Sequence, residues 1–371
     1  MRSFSPSGFR MSSREKTSRP LSLIMVGTNH NHSPVEFRER VYFSKKSLQD
    51  SLDFLKERGI LKGAVILSTC NRVEIYSSSD DEELAIEEIK NLFSLYHEID
   101  INKFSSYLYI YKGIDVFRHL FLVTCGMDSM IPGETQILEQ VKTSLAESDS
   151  KGFLDSFLKA IFHSAISFVD KAHAESIIFK DNISIGTIAV EFIKDRISSL
   201  AGKNILIIGA GRVIELVAMH LEKETPEVIF ISTRTFEKAK DLSMQIKAKA
   251  VRFDELKKFL NRADIIITAT RSPHFILKRE DVLKAISYEP SAMSNKQLLI
   301  IDLAMPRDVD PKVKNINGVE LFYLEDLKGI IEKKLAGKAC EIGKLKNLIE
   351  IEAEKSWKEL TELEPEPALL P

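Results

Sequence analysis

Asn204-Ile205-Leu206-Ile207-Ile208-Gly209-Ala210-Gly211-Arg212-Val213-Ile214 is an apolar run, a glycine pair and the start of a helical pattern. A continuous apolar run between polar flanks predicts a strand covered on both faces. The helical pattern runs over 213–223, and Val228-Ile229-Phe230-Ile231 is a second buried strand. Further out, 236–247 is predicted helical, and 264–268 and 298–302 are predicted strands. Strands alternating with helices imply a doubly wound parallel sheet, here a Rossmann-like one.

Gly209 and Gly211 sit where the strand gives way to the helix. There a glycine lets the backbone approach a pyrophosphate held at a helix N-terminus. The third position of the G-x-G-x-x-G pattern is Ile214. A glycine there ordinarily permits close helix–strand packing, so a displaced helix is expected. Arg212 is a candidate to face the pyrophosphate. The second strand ends in Ser232-Thr233-Arg234-Thr235, with Lys238 beyond and no acid for a ribose 2′-hydroxyl. Hydroxyls and the Arg234 guanidinium suit a 2′-phosphate, so NADPH is the expected cofactor. The plainer alternatives are an ordinary α/β turn and a solvated loop arginine.

Upstream, Leu23-Ile24-Met25-Val26 predicts a strand that enters the polar loop 27–34. Helices are predicted over 47–57, 80–96 and 117–123, with a weak strand over 107–111. That is an α+β domain. Helices at 136–148, 154–173 and 185–200 lead to the parallel sheet. From Glu325 to about residue 360 the chain is charged and helical, and Leu327, Ile330, Ile331, Leu335, Ile342, Leu345, Leu348, Ile349 and Ile351 form one apolar face. Such a face packs along the body or joins two copies.

At 371 residues the chain is long enough for about two or three domains. The 44% hydrophobic and 29% charged residues fit a soluble globular protein. A net charge of -2 gives no global basic field for nucleic acid, although a local patch stays open. Cys70, Cys125 and Cys340 are far apart, which argues against a disulfide framework or a metal cluster and fits a reducing, cytoplasmic compartment. No apolar run spans a membrane. Residues 1–20, rich in Ser and Arg, read as a disordered tail, an upstream start before Met11, or a transit peptide. The Glu-Pro-Glu-Pro tail is expected to fray.

Ile66-Leu67-Ser68-Thr69-Cys70-Asn71-Arg72-Val73-Glu74-Ile75-Tyr76 sets a thiol, an amide and a guanidinium between two strands. The bland reading is a polar turn with a half-buried cysteine. The sharper one is a nucleophile beside an anion-binding arginine, since a nearby cation raises the thiolate fraction.

With Gly27-Thr28-Asn29-His30, Ser33-Pro34-Val35, Arg38-Glu39, His119-Leu120-Phe121, Gly126-Met127-Asp128-Ser129-Met130, Gly133-Glu134-Thr135-Gln136-Ile137-Leu138, Gln140-Val141-Lys142, Ser184-Ile185 and Asp302-Leu303-Ala304-Met305-Pro306-Arg307-Asp308, this stretch resembles the glutamyl-tRNA reductase family from about residue 23 to 360. The resemblance implies NADPH-dependent reduction of glutamyl-tRNA to glutamate-1-semialdehyde, the opening step of C5-pathway 5-aminolevulinate and tetrapyrrole synthesis. It implies a Cys70 nucleophile and a glutamyl pocket of Thr69, Cys70, Asn71, Arg72, Ser129, Glu134, Thr135, Gln136 and Gln140, with Arg72 facing the side-chain carboxylate. It makes His119 a residue important for activity, as an acid–base or an orienting group. It gives the cofactor to Gly209, Ala210, Gly211, Arg212, Val213 and Ile214. No metal is expected.

The implied organisation is a catalytic domain over 21–165, an NADPH-binding domain over 166–315 and a shortened helical dimerisation region over 316–371. A homodimer and a handover partner, glutamate-1-semialdehyde aminomutase, follow from the same resemblance. Arg38, Arg40, Lys45, Lys46, Lys56, Arg58 and Lys62 are candidates for tRNA phosphates. Ile214, Arg212 and Thr135 depart from the family's usual residues. Two rival readings remain: a thiol-dependent NADPH oxidoreductase with another acyl substrate, and a non-catalytic homologue that binds tRNA or a pathway partner.

Overall fold

A computed structural model describes residues 21–175, 184–197, 199–287 and 297–362. The expectations for residues 1–20 and for the Glu-Pro-Glu-Pro tail lie outside these.

The first module is built on β1 (Ser22–Asn29), α1 (Val35–Val41), α2 (Lys45–Arg58), β2 (Gly63–Ser68), β3 (Arg72–Ser79), α3 (Glu82–His97), β4 (Tyr109–Lys112), α4 (Ile114–Thr124), α5 (Gln136–Ser150) and α6 (Ser156–Glu175). Its strands form one antiparallel sheet in the order β2-β3-β1-β4. Successive side chains of a strand point to opposite faces. Leu23 and Met25 of β1 accordingly join the core under α4, α5 and α6, while Ile24 and Val26 join the core under α1, α2 and α3. Burial on both faces explains why these strands read as continuous apolar runs. Ser44 and Asp81 cap α2 and α3 by accepting backbone N–H groups of the first turn.

The second module follows with α7 (Ile185–Lys194), β5 (Asn204–Ile208), α8 (Arg212–Glu222), β6 (Val228–Thr233), α9 (Phe236–Gln245), β7 (Ala248–Arg252), α10 (Leu256–Leu260), β8 (Ile265–Thr268), α11 (Arg279–Ser287), β9 (Leu298–Asp302) and β10 (Val319–Tyr323). All its strand pairs are parallel, in the order β10-β9-β8-β5-β6-β7. The order reverses between β5 and β8, and the crevice beyond their carboxyl ends is where such sheets bind ligands. α7, α8 and α9 cover one face, and α10 and α11 the other.

Some expected limits shift. The boundary at 165/166 falls inside α6, whose Phe168, Val169 and Ala172 belong to the first module's core. The boundary at 315/316 leaves out β10, which pairs with β9. The helix expected over 185–200 ends at Lys194. The one expected over 236–247 stops at Gln245, and the chain turns into β7. β7 and β10 are short edge strands, so their apolar signal is weak.

The helical tail is α12 (Lys328–Ala336) and α13 (Ala339–Glu362). Ile330 and Ile331 pack into the second module, whereas Leu345, Ile349 and Ala353 pack against α4 and α6 of the first. Most of the apolar face offered to a second copy is therefore used within the chain, Ile351 staying exposed. No helix among the described residues is long and apolar enough to cross a membrane.

Candidate active site

Cys70 sits in the tight link between β2 and β3. The Thr69 hydroxyl accepts the Asn71 and Arg72 backbone N–H groups at 3.2 and 3.1 Å, and the Thr69 N–H donates to the Arg72 carbonyl at 2.8 Å. Thr69 therefore shapes the turn that presents Cys70. The His30 N–H donates to the Asn71 carbonyl at 2.9 Å and so ties the 27–34 loop to this turn. Asn71 Oδ1 and His30 Nδ1 are buried with no partner among the described residues. Native interiors rarely leave such atoms unpaired, so both are open to a ligand or a water.

Behind the turn lies a buried charge cluster centred on Glu74. Glu74 accepts from Arg72 at 2.8 Å, Tyr76 at 2.6 Å, Tyr109 at 2.6 Å and His119 Nε2 at 2.9 Å. Burial alone would raise the Glu74 carboxyl, but Arg72 and His119 beside it hold it below the usual carboxylate range. An ionised Glu74 can only accept, so His119 presents its Nε2–H to it. Gly27 faces Glu74 across the β1–β3 pair, and a Cβ at Gly27 would lie 2.7 Å from Glu74 Cγ. That glycine gives the carboxylate its room.

Arg72 is 1% exposed. It also donates to Asp128 Oδ2 at 2.9 Å and to the Asp128 carbonyl at 2.6 Å. Its guanidinium is held here as a buried strut, with Nη1 on Glu74 and Asp128 and Nη2 on the Asp128 carbonyl. Asp128 is partly exposed and also accepts from Asn29 Nδ2 at 3.1 Å.

The loop after α4 completes the wall. Gly126, at φ 69°, lets the loop fold back, since a Cβ there would meet the Glu134 carbonyl at 2.7 Å. Ser129 hydrogen-bonds Glu134, and burial raises the Glu134 carboxyl. Half-buried Gln136 and Gln140 share one face of α5, whereas Thr135 is exposed at its N-terminus with no capping bond. Cys70 is half-buried. Burial first, and then the Glu134 carboxylate, push its thiol up to about 12, against the pull of Arg38. Cys125 is buried in the core beneath α4.

A cavity of about 310 Å³ opens beside Asp128 and Ser129. His30 lines it on the same side, Glu325 lines it from the turn after β10, and Lys328 and Ile331 line it from α12. Burial, with Arg72 and Arg38 nearby, lowers His30 to about 4, so it is neutral.

At the second module's crevice, Gly209 has φ 127°, and a Cβ there would lie 2.5 Å from the Ala269 carbonyl of the neighbouring strand end. Gly211 faces open space. Arg212 and Arg234 are exposed, Arg212 pairing with Glu215 at 3.1 Å. Buried Ser232 Oγ has no partner among the described residues. An open glycine at a helix start, an orphaned hydroxyl at the β6 end and two exposed guanidiniums fit a dinucleotide. Val213 is half-buried and Ile214 fully buried in the core with β5. The close helix contact that needs a glycine lies elsewhere. A Cβ at Gly186 of α7 would meet the Leu216 backbone of α8 at 2.6 Å.

The turn bearing Cys70, the Ser129–Glu134 loop and Arg72 therefore come together. His119 joins them through Glu74, and Thr135 is exposed next to Glu134. Sequence reasoning quoted Glu74, Asp128 and His30 without giving them site roles, took Arg38 only as a candidate tRNA contact, and passed over Glu325. An acid between Val73 and Ile75 in a strand buried on both faces was the legible signal for Glu74. Of the candidate tRNA contacts, Arg38 is buried, and Lys45, Arg58 and Lys62 pair with Glu147, Glu88 and Asp80. Among the described residues no cluster of His, Cys, Asp or Glu suits a metal ion.

Comparison with known proteins assigns both modules. Residues 26–176 match the family "Glutamyl-tRNAGlu reductase, N-terminal domain", and residues 191–330 match "Shikimate / quinate 5-dehydrogenase", a nucleotide-binding module of nicotinamide-dependent enzymes. Glutamyl-tRNA reductase of Pelotomaculum thermopropionicum is 36% identical over 330 residues, 89% of this chain and 73% of that protein. The Citrifermentans bemidjiense protein of the same name is 35% identical over 94% of this chain and 80% of its own length. The solved glutamyl-tRNA reductase of Methanopyrus kandleri is 35% identical and covers 92% of this chain and 81% of its own, with a TM-score of 0.49. The chain belongs to the glutamyl-tRNA reductase family.

Proposed function

We propose that this protein reduces glutamyl-tRNA(Glu) to glutamate-1-semialdehyde with NADPH, through a thioester on Cys70. The Cys70 turn carries the reading, because it sets a half-buried thiol next to the unpaired Asn71 amide oxygen and is tied to His30, which lines the cavity. Cys70 Sγ attacks the aminoacyl ester carbon. The ester C–O bond breaks, and the tRNA leaves with its terminal hydroxyl restored. The thioester is a better hydride acceptor than a carboxylate. The nicotinamide cofactor, when bound, supplies the hydride that releases the aldehyde and returns the thiol.

Asn71, Ser129, Glu134, Gln136 and Gln140 are the groups we assign to the glutamyl moiety, with Thr69 shaping their approach. Arg72 reaches the substrate carboxylate only by exchanging with Asp128. His119 orients Glu74. Gly209, Gly211, Arg212, Ser232 and Arg234 would hold the dinucleotide, with Arg234 offering a partner for the 2′-phosphate that distinguishes NADPH.

A cytoplasmic site, a homodimer and handover of the aldehyde to glutamate-1-semialdehyde aminomutase are proposed on the family resemblance. A dimer seam has to use surface beyond the occupied face of α13. The test is semialdehyde formation from glutamyl-tRNA and NADPH by the wild type and by Cys70→Ser. Product from the wild type and none from the variant is expected. Equal product would overturn the reading.

A further inference from the structure

Among the described residues, two arginine contacts join α1 to the segments after β9 and β10. Arg307, in the turn after β9, donates from its backbone N–H and from Nε to Glu39 at 2.8 and 3.0 Å, and reaches Glu36 at 3.3 Å. Arg38, next to Glu39, donates to the Ser33 carbonyl at 2.6 Å and to Glu325 at 2.8 Å. Glu325 lies in the turn Leu324–Leu327 that follows β10. Arg38 is 3% exposed, and its Nε is buried with no partner among the described residues, whereas Glu325 is 40% exposed. A buried guanidinium needs a counter-charge, and breaking such a pair from one side leaves the buried charge uncompensated. The exposed partner is the one that can leave.

We propose that Arg38 is the positioning cation of the Cys70 thiol and that Glu325 is its removable counter-ion, so that contact between the modules holds the nucleophile in reserve. This rests on the reading of Cys70 as the nucleophile. The charged groups facing the thiol are Arg38 from α1, Glu134 from the loop after α4 and Glu325 from the second module, with the Tyr42 hydroxyl nearby. Arg38 favours the thiolate, and both carboxylates oppose it. With Glu325 docked, the guanidinium is spent on a carboxylate. With Glu325 displaced, the same guanidinium acts on the sulfur against Glu134 only and lends it thiolate character. Glu325 also lines the cavity beside Asp128 and Ser129, so an acyl group entering there competes with it for space. Arrival of substrate and release of the cation are thereby one event.

The test is the rate of Cys70 alkylation by iodoacetamide from pH 6 to pH 9, read site by site by mass spectrometry on the full chain. The proteins are the wild type, Glu325→Gln, Glu325→Ala, Arg38→Lys, Arg38→Gln and Arg38→Gln/Glu325→Gln. Glu325→Gln keeps the shape and removes the charge. It should speed alkylation at pH 7 about fivefold and move the rate profile to lower pH. Arg38→Gln should slow alkylation, Arg38→Lys should retain most of the rate, and in the Arg38→Gln background Glu325→Gln should have no effect. An unchanged rate in Glu325→Gln, or acceleration by Glu325→Ala alone, makes Glu325 a mere cover and overturns the proposal. Equal acceleration with and without Arg38 overturns it as well. Alkylation requires no turnover, so an active Cys70→Ser variant would sink the nucleophile reading separately.

Discussion

Each module buries a carboxylate cluster at the edge of its site, and the two are built on different terms. Glu74, in the antiparallel sheet, has a guanidinium and an imidazole against it and lies below the usual carboxylate range. Asp302, at the end of β9, is also fully bonded, accepting from the Thr268 hydroxyl and from the backbone N–H groups of Ala304, Asp308 and Val309. Its donors are neutral, and its close neighbour is a second carboxylate, Asp308, which Thr270 binds through its hydroxyl and its N–H. Burial, aided by Asp308, pushes Asp302 up to about 7, and burial pushes Asp308 up to about 6. Neutral donors aim a buried carboxylate, but a counter-ion keeps it charged. The catalytic module thus has a charged strut behind Cys70, whereas the nucleotide module ends β9 in a pair of acids with raised carboxyls.

The contrast breaks first at Glu74. Glu74→Gln leaves buried Arg72 with only Asp128 and should cost about 3–5 kcal/mol. The single tryptophan, Trp357, packs on Phe117 and Phe157 of this module, so its emission in a urea titration reports the loss. A midpoint like that of the wild type would mean that the cluster is not the strut described.

Acid should act on the two clusters in opposite directions. Asp302 and Asp308 hold protons in the folded chain that the unfolded chain, with an ordinary value of 3.8, has already released. Their contribution is complete below that value and is lost as pH rises through about 6 to 7. Glu74 contributes above its ordinary 4.5 and loses its contribution as pH falls below it. Between about pH 5 and pH 8 the second module should therefore weaken by on the order of 2–4 kcal/mol while the first does not. Hydrogen exchange resolved to Leu298–Asp302 and to Arg72–Ser79 reads the two separately. Parallel behaviour would erase the distinction. The smallest effect belongs to Thr270→Val, which removes one donor to Asp308 and should cost about 1 kcal/mol, again in the second module alone.

The sequence carried the parts of this molecule that are local. Asn204–Gly211 announces strand, turn and helix because residues a few positions apart supply all three, and the Cys70 turn is closed by Thr69 within the same short stretch. What escaped is made between distant segments. Glu74 meets Tyr109 and His119 only after β4 and α4 have packed, and Gly27 is needed because β1 lies beside β3. The bond from Arg72 to Asp128 was hidden too, because Asp128 sits on another loop. Ile214 suggested a displaced helix, yet it fills the core, and the glycine that admits α8 is Gly186 on α7. The grip of Glu325 and Arg307 on α1 depends on how two modules meet, and no pattern within either one contains it.

The most direct test of the central claim is a single turnover without reductant. Wild-type protein is mixed with glutamyl-tRNA carrying a labelled glutamyl group, quenched in acid, digested and mapped by mass spectrometry. We expect the label on the peptide that contains Cys70, with free tRNA released in equal amount. On adding NADPH the label should leave as the semialdehyde. Label that stays on the tRNA, or product that forms with Cys70 never acylated, would contradict the thioester route.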